Sequence, residues 1–254
     1  MSNSSQVFEA LNRERRARFI LDIFHRILVH YALWFTEIRH QMGTEKAMEM
    51  LGVAWERSYQ VQMRRLSKLL GFSLENDIPE ALLNMPVGDQ RRLLEGISAN
   101  WLANDGVWFQ AVEFSSGMVD AKRCNDTCWA HFSPFEAWSI KRFASIPENA
   151  GLEGLKTALE YRIYALINRY SIMDEGPNAF TFQMNDCRVQ SARKRKGLED
   201  YPCKSGGTVE YNYFAKAMDP CIRVECIGCP PDKHPDEWFC CWRFFIPEAE
   251  KGKA

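Results

Sequence analysis

The sequence predicts an α+β protein: a duplicated helical N-terminal bundle, then a small cysteine-rich α+β domain with a mainly antiparallel sheet. Three observations predict it. Residues 18–71 align without gaps on residues 92–145 at an offset of 74, and both copies carry helical periodicity. Beyond Tyr170 the apolar spacing shifts to short alternating runs rich in aromatic and β-branched residues. Seven of the nine cysteines fall between Cys187 and Cys241.

The duplication rests on matched positions. Trp34-Phe35 falls on Trp108-Phe109, Gly43 on Gly117, Ala47 on Ala121 and Trp55 on Trp129. Each copy opens with a long amphipathic helix, marked by Phe24, Ile27, Leu28 and Tyr31 in the first and Leu94, Ile97, Trp101 and Leu102 in the second. Gly43 and Gly117 suit left-handed C-terminal caps. A second helix is expected to open near Trp55 or Trp129, and in the second copy Ser133-Pro134 reads as a restart. The Trp-Phe pairs read as core anchors. Cys124 and Cys128 also read as core, since their counterparts are Met50 and Ala54. Residues 74–88, with Pro79 and Pro86, join the copies.

A boundary is expected near Pro147, giving a helical domain over 1–147 and a cysteine-rich domain over 148–254. The second part reads as a helix over 152–170, a strand over 179–185 and a helix over 188–196 closed by Gly197. A helix over 208–218 and strands over 221–227 and 237–246 follow.

Composition narrows the function classes. Net charge is −1, so no whole-molecule attraction draws the chain to nucleic acid. The basic run Arg193 to Lys196 sits in the last turn of a helix, where positive charge complements the dipole. The most apolar stretch, residues 20–35, contains Asp22, His25, Arg26 and His30, so a buried helix is expected there and no membrane span. The polar N-terminal residues show no secretion signal and the nine cysteines read as reduced thiols, so a cytoplasmic setting is expected.

Two chemistries are open to the cysteines. Cys187 falls where strand gives way to helix, beside Arg188; the dipole and the neighbouring cation both favour a thiolate nucleophile. Cys203 and Cys240 are candidates for the same pocket, with His234 and Asp219 as proton carriers. The alternative is metal. Cys226-x2-Cys229-x4-His234-x5-Cys240 places thiolate and imidazole at spacings that suit tetrahedral zinc, and the same thiols could ligate iron and sulfide.

The stretches MNDCRVQSARKRKGL, YPC, FAKAMDPCIRVECIGCPPDKHP and CCWRFF resemble an uncharacterised prokaryotic family of cytosolic proteins. More distantly, the C-terminal part resembles the L-2-amino-thiazoline-4-carboxylate hydrolase-like family. That likeness is carried by Cys187-Arg188, Gly197-Leu198, Cys203, Pro220 and Cys240 leading into Trp242-Arg243-Phe244. It implies hydrolysis of a non-peptide C–N bond in a small molecule, with Cys187, Arg188, Cys203 and Cys240 at the site. The other readings are a non-enzymatic zinc-binding module, serving as sensor or nucleic-acid adaptor, and a small-molecule binder without turnover.

Overall fold

The computed structural model describes residues 3–197 and 200–248; Leu198, half of the Gly197-Leu198 turn, lies outside them. The chain forms two compact units, Met1–Met85 and Pro86–Ala254. The boundary expected near Pro147 falls inside the second unit. The division falls earlier because the second helical hairpin packs on the α+β layer that follows it.

The first unit contains α1 (Asn3–Glu9), α2 (Arg13–Met42), α3 (Thr44–Leu70), a hairpin of β1 (Leu74–Glu75) and β2 (Ile78–Pro79), and α4 (Glu80–Leu83). The Asn12 side chain accepts from the Arg15 amide and caps α2, and Gly43 at φ +86° lets α3 begin at once. The second helix thus opens at Thr44, eleven residues before the expected Trp55. Only the seam of this hairpin closes: Ala47 and Gly52 are buried, and no residue of α2 is. The helix expected to be buried over 20–35 is therefore open within its unit. Among the described residues α2 alone has the length and apolarity of a membrane span, and Asp22 and Arg26 pair along it.

The second unit repeats the plan with α5 (Val87–Ser116) and α6 (Met118–Ala144). These helices match α2 and α3 in length, 30 and 27 residues. Gly117 at φ +88° takes the place of Gly43, and buried Ala121 that of Ala47. Pro134 sits inside α6, and no restart occurs. Its missing amide costs one bond, while burial of Ala137 and Ile140 keeps the helix in line. Cys124 and Cys128, expected in the core, are exposed, as are Trp34 and Trp108. The duplicated tryptophans Trp34 and Trp108 lie outside the narrow seam that each hairpin closes around Ala47 or Ala121.

After α6 come α7 (Gly151–Glu160), a 3-10 turn (Ala165–Ile167), β3 (Arg169–Asp174) and β4 (Ala179–Asp186). They are followed by α8 (Arg188–Arg195), α9 (Lys204–Met218), β5 (Arg223–Gly228) and β6 (Cys240–Phe245). The expected helix over 152–170 stops at Glu160. The Ile163 amide, which would extend it, donates instead to Glu136 Oε1 at 2.8 Å. Residues 169–174 then form a strand that helical spacing concealed. The sheet runs β3-β4-β6-β5, antiparallel throughout, with Met184 opposite Cys240 and Phe182 opposite Trp242. Phe180, Phe182, Trp242 and Phe244 from the sheet meet Phe214 and Met218 of α9 and Leu155 and Leu159 of α7. Each such side chain contributes about 1.5–3 kcal/mol through burial.

α9 begins at Lys204, four residues before the expected start at Thr208, and takes Gly206 and Gly207 into its first turn. Low helix propensity hid them; close packing requires them. A Cβ at Gly207 would stand 2.6 Å from Trp242 Cζ2.

Candidate functional site

Strand direction gathers the thiols. β4 and β5 both end where β6 begins, and the Phe239 amide donates to the Met184 carbonyl at 2.9 Å. Cys187 leaves β4 as the N-cap of α8, Cys240 opens β6, and Cys229 follows the bulge between Cys226 and Gly228. α9 brings its own N-cap, Cys203, to the same end, held by the Lys204 amide donating to the Pro230 carbonyl at 2.9 Å. Cys187, Cys203, Cys229 and Cys240 line one cavity of about 660 Å³ within the second unit. Three of these were anticipated as catalytic partners, and Arg188 stands exposed at the same cavity.

The thiols are not equivalent. Cys203 Sγ lies 3.4 Å from Cys229 Sγ and 3.5 Å from Gln190 Nε2. Donation from Cys229, with help from Gln190 and the Lys122 charge, holds the Cys203 thiol below its ordinary pKa. Cys229 moves the opposite way, because it shares its proton with Cys203 and also adjoins Cys240. Burial pushes Cys187 up to about 12, outweighing the Gln190 and Val189 amides that favour its thiolate. The helix terminus at Cys187 was legible in the sequence; the desolvation that overrides it was not. Cys203 is the thiol best prepared to ionise.

The zinc tetrad suggested by spacing is not assembled. Both ring nitrogens of His234 are engaged by other groups: Nε2 meets Asp200 Oδ2 at 3.0 Å and Nδ1 the Pro235 carbonyl at 2.8 Å. Cys226 precedes the bulge and is absent from the cavity wall. Among the described residues no three or more His, Cys, Asp or Glu side chains stand arranged as metal ligands. Asp219 serves the fold, accepting from the Gly151 and Cys221 amides at 3.1 and 2.8 Å.

A second group on the wall was invisible in the sequence. Arg162, 2% exposed, donates through Nε and Nη2 to Glu136 Oε2 at 2.9 and 2.7 Å. Its Nη1 reaches Glu210 Oε1 and the Tyr164 hydroxyl, both at 2.6 Å. Tyr164 donates onward to Glu210 at 2.9 Å and contacts the Tyr211 hydroxyl at 3.2 Å. Glu210, Tyr164 and Tyr211 line the cavity. Burial raises the Glu210 pKa, against the pull of Arg162 and Tyr164, so this carboxyl keeps a proton to higher pH than an exposed one. Glu136, Arg162 and Glu210 come from three separate segments, and no local spacing links them.

Aromatic rings complete the chamber: Trp101, Trp129, Phe109, Tyr201 and Trp242. Two buried donors on this wall, Lys122 Nζ and Trp242 Nε1, have no hydrogen-bond partner among the described residues; the nearest carboxylate to Lys122, Asp126, stands 3.4 Å away. The arrangement can therefore enclose a planar molecule, offer it donors, and present a thiol wall and a buried carboxyl whose pKa is raised.

No curated protein and no solved structure matches the chain. Nor do the comparisons give a link to the thiazoline hydrolase-like family. One family profile matches in two segments, residues 9–87 and 88–246, which meet close to the boundary between the compact units. The chain belongs to that family, a family of unknown function (DUF6125).

Proposed function

We propose that the second unit is a small-molecule enzyme of the hydrolase type, cleaving a non-peptide C–N bond in a planar substrate. One observation carries the reading: a single cavity joins a wall of thiols to a buried carboxyl with a raised pKa. C–N hydrolysis needs both. Water adds across the bond, carbon gaining hydroxyl and nitrogen gaining hydrogen. Attack on the carbon comes from the sulfur side, and Glu210 supplies the proton that the departing nitrogen requires. The Tyr164–Tyr211 hydroxyl pair extends from Glu210 toward Cys240, a path for restoring that proton. Lys122 and Trp242 hold acceptor atoms of the substrate. The distant likeness of the C-terminal part to the thiazoline hydrolase-like family supports the bond type. The near-neutral charge and reduced thiols support a cytoplasmic enzyme that works without nucleic acid or membrane.

The test is a panel of cyclic and acyclic C–N substrates, small enough for the cavity, assayed for released amine. Glu210→Gln keeps the shape of the side chain and is expected to lower turnover by about 100-fold with little change in KM. A Glu210→Gln protein as active as wild type would remove the proton-donor role and with it the mechanism.

A further inference from the structure

We infer that Cys203 and Cys229 form a redox-active dithiol, which a low-molecular-weight disulfide entering the cavity converts reversibly to an internal disulfide. The inference goes beyond the proposed function and stands without it.

The fold itself sets the two sulfurs together. Cys203 is the N-cap of α9 and Cys229 directly follows β5, yet Sγ meets Sγ at 3.4 Å. Apolar filling of a core does not require sulfur to meet sulfur. The chain is pinned on both sides of the contact. The Lys204 amide donates to the Pro230 carbonyl at 2.9 Å, and Lys204 Nζ meets Asp232 Oδ2 at 2.6 Å. A disulfide of about 2.05 Å asks the sulfurs to close by about 1.4 Å, a distance within reach of side-chain rotation while those pins hold.

The two thiols are prepared for unequal roles. Cys203 stands at the N-terminus of a 15-residue helix, whose amides favour negative charge there. Gln190, 1% exposed, is clamped by the Tyr201 backbone: Nε2 donates to its carbonyl at 2.9 Å, and Oε1 accepts from its amide at 2.8 Å. The second hydrogen of Nε2 is left for Cys203 Sγ, 3.5 Å away, and a thiolate accepts it better than a thiol does. The lowered pKa of Cys203 agrees with these contacts. Both sulfurs line the cavity, but Cys229 is 1% exposed and Cys203 only half-buried, so an incoming molecule meets Cys203 first.

The exchange proceeds in two displacements. Cys203 loses its proton to solvent, and its thiolate attacks one sulfur of the small disulfide. A mixed disulfide forms, the small S–S bond breaks, and the departing thiolate takes up a proton. Cys229 then gives up its proton and attacks the Cys203 sulfur; the internal S–S bond forms and the second small thiolate leaves, likewise protonated. Two protein thiols are oxidised and one small disulfide is reduced to two thiols. The cavity of about 660 Å³ has room for the organic group of the mixed disulfide. Where thiols are otherwise kept reduced, disulfides of this kind are transient, and catalytic or redox-sensing.

The reduced full-length chain is incubated with hydroxyethyl disulfide, quenched in acid, and mapped by mass spectrometry of its peptides. A peptide pair linked through Cys203 and Cys229 is expected, and excess dithiothreitol should return both thiols. Exposed Cys124 serves as the internal reference for reagent action. Cys229→Ser removes the second displacement, so mercaptoethanol should stay attached to Cys203. Cys203→Ser removes the first, so modification of Cys229 should slow by at least about tenfold. Wild-type protein with no Cys203–Cys229 link when Cys124 has fully reacted overturns the inference, and this readout needs no variant to fold. Cys203 linked to any other cysteine overturns it as well. Mercaptoethanol taken up by Cys229 in the Cys203→Ser protein as fast as Cys203 takes it up in the Cys229→Ser protein overturns the assignment of the attacking sulfur.

Discussion

Replacing Arg162 with Met tests the buried charge network on which the carboxyl side of the site depends. The guanidinium makes four hydrogen bonds of 2.6 to 2.9 Å, three to Glu136 and Glu210 and one to Tyr164. It also lies 4.4 Å from the Phe214 ring centre and 4.5 Å from that of Tyr164. Methionine fills much of the volume but leaves two carboxylates buried without a cation. Removing one partner of a buried pair costs about 3–5 kcal/mol. For a unit of this size that is a fall of about 6–20 °C in Tm, at roughly 2–4 °C per kcal/mol. Thermal unfolding followed by near-ultraviolet circular dichroism, which reports packed Trp242 and Tyr211, measures it. The deficit should shrink toward about pH 5. Without Arg162 the folded-state pKa of Glu210 rises further above its unfolded value, so stability falls as pH climbs through that window and recovers on acidification. The triple replacement Arg162→Met, Glu136→Gln, Glu210→Gln should regain most of the loss, since neutral groups need no cation. A single variant melting within about 2 °C of wild type at neutral pH would refute the reasoning.

Two further predictions concern the sulfur wall. In reduced protein, iodoacetamide should label Cys203 at lower pH than Cys187, and mass spectrometry of the labelled peptides reads the order; Cys187 reacting first would reverse the assignment. Because the folded Cys187 thiol is raised to about 12 from 9.0, its contribution to stability is present below pH 9 and is lost above it, at up to about 1.4 kcal/mol per pH unit. Cys187→Ala should flatten that alkaline decline in urea unfolding. Gly207→Ala sets a methyl against the buried Trp242 indole at 2.6 Å, so a loss of about 1–3 kcal/mol is expected; an unchanged urea midpoint would mean that Trp242 moves freely.

Much of the fold was legible locally. The offset of 74 residues located both hairpins, and the structure returns it in helix lengths and in the positive φ of Gly43 and Gly117. Spacing failed where a long-range partner outcompeted it. Glu136 takes the Ile163 amide and ends α7, and packing on Trp242 draws Gly206-Gly207 into α9. The burial expected for Trp34 and Trp108 failed for another reason: apolar periodicity identifies a face but not what covers it.

What the sequence by itself determined is the class of elements, the duplication and the concentration of thiols near the C-terminus, because periodicity and glycine caps act over a few residues. The tertiary structure alone decided which sulfurs meet, that His234 faces Asp200, and that Glu210 shares a buried arginine with Glu136. Strand direction and desolvation set those outcomes. Both depend on segments far apart in the chain, so neither leaves a mark in local spacing.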